Sequence, residues 1–419
     1  TTSYVTNNIL NLVWFTIAAS FRLNRPLWNC PLQWDPQRRR FFHKRGISFW
    51  WYVAIFGNIL LLCCGSIGYV LYGEMTNLQR RLPLHFLVEY VLGGVACLFV
   101  IGICIYITFF ADETVIVVNT IIRLYEEFHP SVNPLRVRFP KQEKLCGIRI
   151  PNFLDADGKI DRLGLTLLMA LLPAPFIPLP VALACVYLLK MDVFIFILED
   201  LFPHSVANSV FLTPFRVAPI WIASAEMCRI FPFVAFVMGV PIQLLSKSGQ
   251  ILLNSELRGE SEIQRNAILV QFNQLRVLNA AMENVLAAMT FVLMGTGLII
   301  SSLLNFATIR FLDAALPRVF YLMFPFLSTT TLVIIFTLLP FAIQDYENSV
   351  ATLSRWRELV GLKDKELRKR LLAMRPRMYY AGLNKHYFYS LTKSMTGTYT
   401  MAIVDNTVNL LMTIPSVHI

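Results

Sequence analysis

Charge is scarce in this chain. Asp, Glu, Lys and Arg make up 15% of its 419 residues, against about a quarter in soluble domains, which leaves too little polar surface to cover a water-soluble globule. Catalytic constellations are missing as well. No GxGxxG, Walker A, HExxH or GxSxG spacing occurs, and the six histidines (His43, His85, His129, His204, His386, His418) are scattered singly. No phosphate cradle, nucleophile–base pair or helical zinc site is offered, so the chain reads as a non-enzyme and implies no cofactor. The eight cysteines include no CxxC pair, and Cys63, Cys64, Cys97, Cys104, Cys185 and Cys228 lie inside apolar runs. That pattern excludes a disulfide framework and a thiolate metal site. The run DADGKID at 155–161 resembles a calcium loop only in composition. An EF-hand needs Gly at the sixth loop position and Glu at the twelfth, whereas Gly158 is fourth from Asp155, so the run is expected to be a turn. No N-x-[ST] sequon occurs, and glycosylation gives no clue to sidedness.

What the chain has instead is apolar length. Hydrophobic residues make up 56% of it, and the mean hydropathy is +0.57. A bilayer core of about 30 Å needs about 20 residues of helix, and seven stretches satisfy this, near 49–72, 87–110, 163–189, 217–245, 284–309, 318–344 and 395–416. The third carries Pro173, Pro175, Pro178 and Pro180, so it is expected to be kinked or irregular, with neighbours satisfying its freed carbonyls. The fold class is therefore an all-α membrane protein with seven transmembrane helices.

The excess of 37 basic over 26 acidic residues is explained by topology. Thirty of the Lys and Arg residues fall on the side holding the N-terminus, six on the other, and Arg229 lies within the fourth span. By the positive-inside rule this puts the N-terminus in the cytoplasm and the C-terminus outside. No recognition module accompanies the basic residues, so nucleic acid is not an expected partner. Residues 250–283 and 345–375 space apolar positions among charges, with Leu253, Leu257, Ile268, Phe272, Leu275 and Leu278 in the first and Leu353, Trp356, Leu359 and Val360 in the second. Both are expected to be amphipathic helices extending into the cytoplasm, either joining subunits or lying on anionic lipid. The connection at 190–216 is itself apolar and is expected to fold over the outer mouth.

Ionisable groups inside spans are functional candidates by default. Glu226 and Arg229 are three residues apart, close enough for a local ion pair that serves either as a strut between helices or as a ligand or gating pair. Outer-half residues Tyr90, Tyr187, Trp221, Asn305, Phe306 and Tyr321 are candidates for a small-molecule pocket, although interfacial Trp and Tyr are also expected as belts. The last span concentrates the polar groups. At about 100° per residue, Thr398, Asp405, Asn409, Thr413 and Ser416 fall within roughly a quarter of the helix circumference, and lipid cannot solvate such a stripe.

Gly397, Thr398 and Tyr399 open that last helix, and ADETVIVVNTIIRLYEEF at 111–128 follows the second span. With seven spans, a cytoplasmic N-terminus and long cytoplasmic extensions, these features resemble the insect chemoreceptor superfamily of gustatory and odorant receptors. The gustatory branch ends in TYxxxxxQF, and the 111–128 run resembles the first cytoplasmic loop. The resemblance implies a plasma-membrane receptor subunit for taste or smell, forming a ligand-gated cation channel as a homotetramer or heterotetramer. It further implies an outer-half pocket and a pore lined by the seventh helix. On that basis the pore candidates are Thr398, Tyr399, Asp405, Asn406, Asn409, Met412 and Thr413. The implied organisation is a cytoplasmic segment (1–48), spans one to four with the pocket (49–245), spans five and six with the cytoplasmic assembly region (246–394) and the pore helix with its tail (395–419). One departure stands out, because Asp405 and Asn406 occupy the positions of the family's Gln and Phe, which moves the constriction to Leu411 or Met412 or alters the closed state. The partners expected are a small-molecule ligand, related subunits, permeating cations and lipid. A transporter or ungated channel component, and a receptor signalling through partners bound at 345–393, are the rival readings.

Overall fold

A chain this apolar satisfies its backbone internally, and helices do so without a partner. In the computed structural model the described residues are 11–414 except 25–26, 28–29, 36, 45–48, 77–81, 129–143, 146–147, 150–160, 172–177, 189–191, 208, 255–261, 313–316, 361–364 and 384. Most of the calcium-like run at 155–161 lies outside them. The first helix, α1 (Asn11–Leu23), leads into a hairpin of β1 (Leu32–Asp35) and β2 (Arg40–His43). Two long apolar helices follow, α2 (Phe49–Met75), which is π-helical over Val53–Cys64, and α3 (Leu84–Phe128). At 1.5 Å per residue α3 is roughly 68 Å long. The 111–128 run, expected as a loop after the second span, is therefore the uninterrupted end of this helix. It contains no Pro or Gly to stop it, and Val118, Ile121, Ile122 and Tyr125 bury one face.

The third apolar stretch is described in two parts. It consists of α4 (Arg162–Leu171), residues 172–177 outside the described set, and α5 (Pro178–Leu183) running into a π turn at Ala184–Leu188. Then come α6 (Val193–Leu201), α7 (Thr213–Val234), a π turn at Ala235–Gly239 and α8 (Val240–Asn254). Two more long helices, α9 (Glu262–Arg310) and α10 (Arg318–Val360), are followed by α11 (Lys365–Ala373), the hairpin β3 (Tyr380–Leu383) and β4 (His386–Ser390), and α12 (Lys393–Thr413). Among the described residues five helices are long and apolar enough to cross a membrane. Of the expected spans, the third is only partly described, and the seventh, α12, is too polar along one stripe to join that set.

One continuous core joins α1, the first hairpin, the helices α2 to α4 and the helices α7 to α12. Several polar groups within it are paired. Asn58 donates to the Pro219 carbonyl at 3.0 Å, and Arg229 binds Glu226 at 2.6 and 2.7 Å with both residues buried, the local ion pair expected from their spacing. At the far end of α10 the fully buried Arg377 grips Asp345 through Nε at 3.0 Å and Nη2 at 2.6 Å, while the Tyr379 hydroxyl donates to the same carboxylate at 2.7 Å. Gly249 on α8 makes this possible, since a Cβ there would lie 2.5 Å from Arg377 Nη2. Trp356, also fully buried, stands edge-on to Phe272, with ring centroids 5.5 Å apart.

Candidate functional site

The sequence of the last helix fixes which side packs. Tyr399, Ile403 and Thr407 are buried against the rest of the molecule, at the i, i+4, i+8 spacing that puts side chains on one face. Three polar contacts hold that face to α9. The Tyr399 hydroxyl donates to the Met294 carbonyl at 2.8 Å, Ser302 reaches the Ile403 carbonyl at 3.4 Å, and Arg310 donates to the carbonyl of Ile414. Gly297 leaves room for the tyrosine, since a Cβ there would stand 2.9 Å from its hydroxyl oxygen. At the far end Leu410, Leu411 and Ile414 pack on a cluster of Val88, Phe306, Phe311 and Phe324.

The opposite face is open and is divided lengthwise. Thr398, Asp405, Asn409 and Thr413 are exposed along one strip. Met401, Val404, Val408 and Met412 are exposed along the strip beside it. Of the residues expected to line a pore, Thr398, Asp405, Asn406, Asn409, Met412 and Thr413 lie on exposed positions, whereas Tyr399 points into the contact with α9. With 21 residues α12 is roughly 32 Å long, enough to cross a hydrocarbon core of about 30 Å.

The outer-half candidates divide. Tyr90 is buried, stacks on Phe86 at 6.3 Å and meets Phe196 edge-on at 6.4 Å. Phe306 is fully buried, Asn305 accepts a hydrogen bond from Ser328 at 2.6 Å, and Tyr321 donates to the Thr308 carbonyl at 3.0 Å. Phe86 packs on both apolar clusters and so links Tyr90 to Phe306 and Tyr321. Tyr187, 58% exposed, and the half-buried Trp221 belong to neither cluster. Within the 190–216 segment, Val193, Phe194 and Phe196 pack against Val70 and Tyr90, whereas Phe202, Val210, Phe211 and Phe215 are exposed. Asp192 caps α6 by accepting from the Ile195 amide at 2.8 Å, and Arg216 clamps both oxygens of that buried carboxylate.

Sequence reasoning missed the group around Asp345. In this segment, outside the spans, burial works against the charge of Arg377, but the Asp345 carboxylate outweighs it and raises the pKa. Burial, with the same carboxylate beside it, pushes the Tyr379 phenol well above its usual range. Asp345 and Arg377 lie 32 residues apart, so no local spacing could announce the pair. The only signal was a carboxylate just beyond an apolar run.

No family model matches the chain, and no curated protein matches it. Among solved structures, the insect olfactory receptor OR5 from Machilis hrabei superposes with a TM-score of 0.52 at 12% identity, covering 96% of this chain and 97% of the receptor. The same receptor in complex with eugenol gives a TM-score of 0.49 at 11% identity over 97% and 100% of the two chains. Over nearly its whole length, this chain therefore has the fold of an insect olfactory receptor.

Proposed function

We propose that the chain is a chemosensory receptor subunit of the plasma membrane. In this reading it forms, with further copies or related subunits, a cation channel opened by a small molecule. The observation that carries the proposal is α12, which is pinned to its own subunit along Tyr399, Ile403 and Thr407 while a strip containing Asp405, Asn409 and Thr413 stays open. A membrane-length helix with an unneutralised polar strip needs water or protein there. Four such helices around one axis supply water, and their carboxylates make a ring that attracts cations and repels anions. The apolar strip of Met401, Val404, Val408 and Met412 then supplies the contact between neighbouring helices and the constriction. Of the two gate candidates, Leu411 packs within its own subunit while Met412 is 81% exposed, so the gate is assigned to Met412, where an apolar ring closes a pore by dewetting.

The fold likeness supports a receptor channel over a transporter. The small-molecule site is placed at the outer ends of α3, α9 and α10, around Tyr90, Asn305, Phe306 and Tyr321, with α6 as its cover. Tyr187 and Trp221 lie away from that cluster and are proposed only as neighbours of its entrance. In this arrangement the N-terminus is cytoplasmic, residues 1–48 and the extensions within 246–394 form the cytoplasmic layer, and 395–419 carry the pore helix. Whole-cell recording from cells expressing the chain, alone and with related subunits, during a small-molecule screen tests the reading. An evoked cation current is expected, and the absence of current in every combination contradicts it.

A further inference from the structure

A cavity of about 440 Å³ lies away from the outer cluster. Its wall includes Ile107 of α3, seventeen residues beyond Tyr90 and so about 25 Å further along the helix, toward the end bearing the basic residues. Four aromatic side chains from three elements and a turn close around it: Phe21 of α1, Trp34 of the first hairpin, Phe233 of α7 and Phe236 of the following π turn. Trp34 is held in place by stacking on Trp14 at 5.3 Å and by Phe41 at 4.7 Å. It is 6% exposed, yet its indole N–H is buried with no partner among the described residues. A buried donor of this kind is destabilising unless something accepts from it.

The charge in the wall has one sign. Arg229 and Lys44 line the cavity and no carboxylate does. Glu226 offsets Arg229, whereas the exposed Lys44 has no ion pair among the described residues. Ser20, Asn24 and Gln33 share the wall with the aromatic side chains; a cavity of a few hundred Å³ with convergent polar groups is the usual form of a small-molecule site, and the Lys44 ammonium selects the head group. We propose that this inner cavity binds an anionic amphiphile, with its apolar tail among Phe21, Trp34, Phe233 and Phe236 and its carboxylate or phosphate at Lys44. The source is either a free fatty acid or a phospholipid of the adjoining leaflet, and either would be a second ligand, remote from the outer site.

The test uses the full chain in neutral phosphatidylcholine nanodiscs and tryptophan emission, so it is independent of channel activity. Dibromostearate is the free-acid probe, dibromostearoyl alcohol its uncharged control, and brominated phosphatidylserine incorporated in the disc the lipid probe. The acid or the brominated lipid should quench a component of emission that Trp34→Phe removes. Lys44→Glu, at an exposed position that leaves the fold intact, should weaken the anionic probe about tenfold, the loss of one charge-assisted hydrogen bond, and leave the alcohol unchanged. Quenching by the lipid that the free acid does not displace assigns the lipid source. The proposal is overturned if neither anionic probe quenches the Trp34 component, or if Lys44→Glu alters acid and alcohol equally.

Discussion

Two buried residues set the strongest single-site expectations. Arg377 and Asp345 are both fully buried and bound bidentately, and removing one partner of such a pair typically costs about 3–5 kcal/mol because the other charge is stranded. Arg377→Ala should therefore lower the melting temperature of the purified chain far more than the joint Arg377→Met and Asp345→Leu replacement, as read by thermal unfolding in detergent. Equal losses in the two variants would show that the charges are not stranded. Tyr399→Phe should cost about 1 kcal/mol, the net value of one hydrogen bond, since the ring keeps its place beside Gly297 and only the bond to the Met294 carbonyl is lost. At this scale legibility depends on sequence separation. Glu226 and Arg229, three apart, are readable as a pair because helical geometry alone brings them together, and they do pair. Asp345 needs the whole turn through α11 to meet Arg377 and Tyr379, which no local pattern contains.

The helices show the same limit one level up. Periodicity placed Asp405, Asn409 and Thr413 on one strip of α12, and that strip is exposed. It could not say that Tyr399, read beside Thr398 as a pore residue, faces α9 instead, because that depends on the glycine opposite. The N-terminal part of α9 carries two apolar stripes. The stripe of Phe272 and Leu275, flanked by Ile268 and Leu278, is buried or half-buried in its own subunit. A second stripe, Ile263, Val270 and Val277, is exposed at seven-residue spacing, the repeat that seams neighbouring helices together. Val270→Asp combined with Val277→Asp should shift purified particles from oligomer toward monomer on light scattering while leaving the helical circular dichroism signal unchanged. An unaltered mass would place the subunit contact elsewhere. On α12, Met412→Ser should raise the ligand-free current by making the constriction easier to wet, which recording without agonist would detect.

For the molecule as a whole, hydropathy and helix length were legible because a bilayer imposes them regardless of tertiary contacts. Four long apolar helices coincide with the runs expected at 49–72, 87–110, 284–309 and 318–344, a fifth, Phe236–Asn254, overlaps only the end of the 217–245 run, and the polar α12 falls outside the apolar set. The packing that assembles them into an insect olfactory receptor fold at 12% identity lies in residue pairs far apart in sequence. The account's central claim is that the open strip of α12 is an ion path, and Asp405 is its only carboxylate. The most direct measurement is the reversal potential of the ligand-evoked current under a salt gradient, for the wild type and for Asp405→Asn and Asp405→Leu. The account predicts a shift toward lower cation preference and a smaller conductance in both variants, with assembly intact. Currents in Asp405→Leu identical to wild type in reversal potential and conductance would contradict it and return this face of α12 to helix packing or lipid.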